Sequence, residues 1–186
     1  MRNIKIGFVT LVVALCLLWL SAEGFPTADY AQYMTWRGLL YWSGILAMGA
    51  MSVSIILAMR LKFLEPWLGG LDKMYRLHKW LGITGLVVSI IHWFAKQAPM
   101  WFASVDAVRP ARPAAPEQTN AILAFFQTMH GPAEGIGNPA FYALIGLVVL
   151  ALLRWFPYKY FFKTHRLLAI VYLALVFHSL VLMKFT

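Results

Sequence analysis

Four histidines, His78, His92, His165 and His178, stand inside stretches that are otherwise strongly apolar. An ionisable side chain in such a stretch is costly and by default marks function. Imidazole can carry a proton or hold a metal. The first two lie 14 residues apart and the second two 13 apart. At the helical rise, those gaps are about 21 Å and about 19.5 Å. Each stretch thus carries one histidine toward either end. Two helices running in the same direction would match them by depth, His78 with His165 and His92 with His178.

An iron held in a flat macrocycle accepts one imidazole on each face, and imidazole suits iron. Two helices flanking two such layers would therefore hold two haems, one in each leaflet, and make a path for electrons. A single histidine in an apolar helix would instead read as a hydrogen-bonded core residue, but four at paired depths exceed that role. One angle is awkward. Fourteen residues bring His92 within about 40° of His78, whereas thirteen leave His178 about 140° from His165. A tilt, a π-bulge or a helix that starts just after His165 would relieve this. His130 stands outside the pattern, in a connecting loop, and reads as a solvated surface residue.

The elements that must position these side chains are membrane spans. The 186 residues are 61% hydrophobic and only 12% charged, about half the charge of a soluble domain, and mean hydropathy is +0.70. The apolar residues gather into five blocks, roughly 6–22, 38–59, 77–95, 139–153 and 166–183. Aromatic and basic flanks complete the shorter ones. The expected fold is an all-α integral membrane bundle of five helices forming one domain, with the haems between the third and fifth. The first block could serve as a signal peptide, but its apolar run is long, so a retained helix is expected. Cys16 lies within it and reads as a core-filling residue. Met48, Met51 and Met59 read as lipid-facing.

The net charge of +9 could suggest nucleic acid, but its distribution excludes that. With a cytoplasmic N-terminus, the inner segments hold 11 basic residues and two acids, and the outer segments five of each. All the excess lies on one side, which is the positive-inside signature of a multi-pass membrane protein. The long outer connection, 96–138, is rich in proline and alanine around 108–116. Within it, residues 121–129 read as a short interfacial helix capped by Thr119 or Asn120. Asn138-Pro139 then opens the fourth span. These spans contain no Asp or Glu, which argues against a haem-free transporter using the histidines as proton relays.

The run Leu71-Asp72-Lys73-Met74-Tyr75-Arg76-Leu77-His78-Lys79-Trp80-Leu81-Gly82, followed by Ile91-His92-Trp93, resembles the third helix of the ferric reductase-like transmembrane domain. His165-Arg166-Leu167-Leu168 through His178 resembles its fifth. That family includes ferric reductases and NADPH oxidases. The resemblance implies two bis-histidine b-type haems, an oxidoreductase in the bacterial inner membrane, and electrons passing from a cytoplasmic FAD- and NAD(P)H-binding module to an outer acceptor such as ferric iron or dioxygen. It also implies a sixth helix and the flavin module. This sequence ends at Thr186 without a Gly-x-Gly-x-x-Gly, so it reads as the membrane portion of a longer reductase. The alternative is a haem subunit passing quinol or flavin electrons to a periplasmic partner reductase.

Haem propionates need cationic partners. Arg76 on the inner side and Arg37 on the outer side are the candidates, although many basic residues here serve only as interfacial anchors. Gly82 and Gly85 would let a haem approach the third helix closely, or serve ordinary helix packing. Trp80, Trp93, Phe94, Tyr172 and Phe177 read as packing against macrocycles or lipid.

Overall fold

A computed structural model describes residues 2–23, 31–102 and 120–183, and among them there is no strand. The helices are α1 (Arg2–Glu23), α2 (Ala31–Ala58), the four-residue α3 (Glu65–Leu68), α4 (Leu71–Phe102), α5 (Ala121–Leu152) and α6 (Tyr158–Leu182). Five of these, all but α3, are long and apolar enough to cross a membrane. The expected all-α membrane architecture is therefore what the chain forms. The helices fall into two compact units, Met1–Pro99 and Met100–Thr186.

In the first unit, α2 buries Ser43, Leu46, Ala47, Ala50, Met51, Ser54 and Leu57. Steps of three and four residues make these one stripe of a helix. The matching stripe of α4 is Met74, Leu77, Leu81, Val88 and Ala95. Ile4, Ala50, Leu57, Met74, Leu77 and Leu81 close into one core, with Phe8 and Leu11 of α1 packed against it. The opposite faces leave Val9, Val13, Leu17, Leu18, Val87 and Ile90 exposed. Such faces are stable only in an apolar solvent such as lipid. Met59 shares that exposure, but Met51 is buried and not lipid-facing, because it packs over Gly85.

The chain reverses between α2 and α4 through residues in the left-handed region. Arg60 has φ 54°, Gly69 81° and Gly70 114°. Glycine adopts this region without the Cβ clash that Arg60 must bear. The Gly69 amide donates to Glu65 O at 2.9 Å and closes α3.

In the second unit, Asn120 caps α5 as expected, its Oδ1 accepting from the Ile122 amide at 2.9 Å. The rest of that connection differs from expectation. The supposed interfacial helix and the span from Pro139 are one continuous helix of 32 residues, with Pro132 and Pro139 inside it. A proline removes one donor and crowds the preceding turn, but a long apolar helix packed along a neighbour can absorb this. Here Ala133, Ala140, Phe141, Leu144 and Val148 form the buried stripe. His130 and Glu134 consequently sit on a helix, not in a loop. Likewise α4 continues to Phe102, past the expected end near 95. The proline-rich run 108–116 lies outside the described residues. Finally, α6 begins at Tyr158 and is α-helical through both of its histidines. Neither a π-bulge nor a late start relieves the angle between them.

Candidate functional site

On α4, His78, Gly85 and His92 recur every seven residues and so lie along one side of the helix. That side faces α2. The Nδ1 of His78 lies 2.8 Å from the Ser54 carbonyl oxygen, and the Nδ1 of His92 lies 2.9 Å from that of Leu40. Leu40 and Ser54 are themselves 14 residues apart, so the antiparallel helices meet in one register at both places. Midway between, a Cβ on Gly85 would stand 3.0 Å from Cγ of Met51. Gly85 is therefore a helix-packing glycine. It brings α4 close enough for both rings to reach the carbonyls of α2. At Gly82, by contrast, an added Cβ would meet nothing within 4 Å.

The same device recurs in the second unit. The Nδ1 of His178 on α6 lies 2.8 Å from the Ala133 carbonyl oxygen on α5. Each of these carbonyls precedes a small residue by four positions: Gly44 after Leu40, Gly137 after Ala133, and Ala58 after Ser54. At the two glycines the reason is steric. A Cβ on Gly44 would lie 3.3 Å from Cε1 of His92, and one on Gly137 only 2.6 Å from Cε1 of His178. The rings lie over helix backbone where a larger side chain would stand.

These bonds decide a proton. A carbonyl can only accept, so Nδ1 carries the hydrogen in His78, His92 and His178, and in the neutral ring the lone pair belongs to Nε2. That is the tautomer of a histidine ready to ligate through Nε2, with the backbone acting as outer support. All four histidines are half-buried. His165 is held differently, its ring stacked on Phe161 with centroids 5.0 Å apart and planes 16° apart. The 13-residue step accounts for this: a continuous α6 turns His165 and His178 to different sides. Among the described residues there is no cluster of three or more His, Cys, Asp or Glu able to hold a bare metal ion. The donor set is thus one of separate imidazoles, which fits a macrocyclic iron needing two axial ligands.

A comparison with known families decides the lineage. The sequence description of the ferric reductase like transmembrane component matches residues 43–176, well over half of the chain. The chain belongs to the ferric reductase-like transmembrane family. The match covers His78, His92 and His165, and ends two residues before His178. No curated protein matches the chain. Membership supports electron transfer of the membrane oxidoreductase type, in a family that generally binds haem.

The arginines singled out for family propionates have neighbours within the chain. Arg76 lies 3.8 Å from Asp72 in an exposed pair one turn apart, an arrangement of little energetic weight. Arg37 donates from Nε to the Tyr41 hydroxyl at 3.3 Å. Arg60 lies over the Tyr75 ring, 5.1 Å from its centre. Ser43, Ser54, Gly44 and Gly137 also belong to this arrangement, and no motif in the sequence points to them. Ser43 and Ser54 were visible as polar residues in an apolar block. Their meaning needed the register of α2 against α4.

Proposed function

We propose that this chain carries electrons across a membrane through two b-type haems, one held by His78 and His165 and the other by His92 and His178. The observation that carries this reading is the shared tautomer. Three histidines on two helices donate from Nδ1 to backbone carbonyls, which places the ring lone pair on Nε2, the tautomer that axial ligation requires. The 14- and 13-residue spacings in the sequence and membership of the family support the pairing. Bound there, haem would supply a one-electron carrier in each leaflet. The protein's part is to orient the rings and surround them with apolar helix.

The charge asymmetry supports a cytoplasmic N-terminus, and a bacterial inner membrane is what the family resemblance implies. Arg76 is then an inner and Arg37 an outer candidate for propionate contact. In this reading electrons enter from a cytoplasmic flavin and NAD(P)H module and leave to an outer acceptor such as ferric iron or dioxygen.

The test is a reduced-minus-oxidised spectrum and a haem count on the purified chain. Two haems per chain with bis-imidazole bands are expected. One haem per chain would overturn the two-layer arrangement, and none would overturn the function.

A further inference from the structure

Two buried serines stand against the histidines of α4, Ser54 at His78 and Ser43 at His92. Ser54 is 6% exposed and Ser43 is fully buried, so their hydroxyls need partners within the protein. The Ser54 Oγ lies 2.9 Å from Nδ1 of His78, beside the carbonyl of the same residue at 2.8 Å. The Nδ1 proton of His78 is therefore shared between two oxygens of one residue. The hydroxyl sends its own proton to the His78 carbonyl at 3.3 Å, which leaves an Oγ lone pair facing the ring. At His92 the pattern is weaker. The Ser43 hydroxyl donates to Leu39 O at 2.6 Å and stands 3.3 Å from Nδ1. For His178, the partner among the described residues is the Ala133 carbonyl.

We infer that Ser54 and Ser43 are positioning residues that set the reduction potentials of the two haems unequally, with Ser54 the stronger. This rests on the haem reading above. An oxygen accepting from Nδ1–H pushes electron density toward Nε2 and makes the imidazole a more basic ligand. A more basic ligand favours the oxidised iron, which carries the greater charge, and so lowers the potential. Two close acceptors do this more than one, and a contact at 2.9 Å does it more than one at 3.3 Å.

The experiment is a redox titration followed by the haem bands in the full chain. Ser54→Ala keeps the backbone carbonyl and removes only the hydroxyl. The couple that His78→Leu abolishes should then move upward, with about a threefold shift toward the reduced form, or about 28 mV at 59 mV per tenfold. Ser43→Ala should move the other couple in the same direction by a smaller factor, and Ser54→Thr should keep the original value. Ser54→Cys, with similar size and a poor acceptor, should follow Ser54→Ala and decides the matter if the alanine variant fails to fold. Unchanged potentials with haem retained, or an equal effect from both serines, would overturn the inference and leave the haem reading standing. Absence of haem from the unsubstituted chain would remove both.

Discussion

The ring of His178 fills the space that a side chain on Gly137 would need: a Cβ on the glycine would lie 2.6 Å from Cε1 and 2.7 Å from Nδ1 of the ring. Real side chains do not approach so closely, and a ring seated against helix backbone has nowhere to retreat without losing the Ala133 carbonyl. Gly137→Ala should therefore displace His178 and weaken retention of its haem by about 10- to 100-fold, the usual cost of losing support behind a ligating histidine. Haem titration of the purified variant checks this. Gly146→Ala, where an added Cβ meets nothing within 4 Å, should bind as the parent does.

The pairing by depth predicts separable losses. His92→Leu should remove one haem and spare the other, halving the haem count while one set of bands persists. Equal loss of both would contradict the assignment of His92 and His178 to a layer of their own.

Gly85 should behave in the opposite way, because it lies between the contacts that both α4 histidines make with α2. Alanine there would need only a small movement of the flexible Met51 side chain. Leucine would push α4 away from α2 and lengthen the bonds from His78 to Ser54 and from His92 to Leu40 together. The expected outcome for Gly85→Leu is a parallel loss of both haems, read as a falling haem count with no change in the ratio of the two couples.

Stability should depend on which face is altered. Leu81 is fully buried, whereas Leu17 is 59% exposed on the face assigned to lipid. Leu81→Ala should cost about 2–4 kcal/mol through the cavity it leaves, lowering the thermal midpoint in detergent. Leu17→Ala should change that midpoint little, since it opens no internal space.

The spans and the histidines were legible in the sequence for the same reason: both are departures from an apolar background. Runs without charge announce helices in a bilayer, and a histidine inside one stands out as a cost that needs a return. Pro139 was misleading, because it reads as the start of a helix and here lies well inside α5. The expectation of His130 in a loop follows from that one boundary. The oxygens that orient the rings could not be read at all, since a backbone carbonyl has no letter of its own. Only the pairing of α2 with α4, and of α5 with α6, shows that Leu40, Ser54 and Ala133 supply them.

The equal 14-residue intervals on α2 and α4 also bear on which lengths the chain can tolerate. Adding or deleting one residue between Leu40 and Ser54, or between His78 and His92, would rotate one anchor point by about 100° and slide it by about 1.5 Å. One bond could then be kept only by giving up the other. The reversal at 59–70 packs Leu64 and Leu68 against the core but holds neither ring, so it faces no such register requirement. Natural variation in length is therefore expected to gather in that reversal and to leave the two paired intervals untouched.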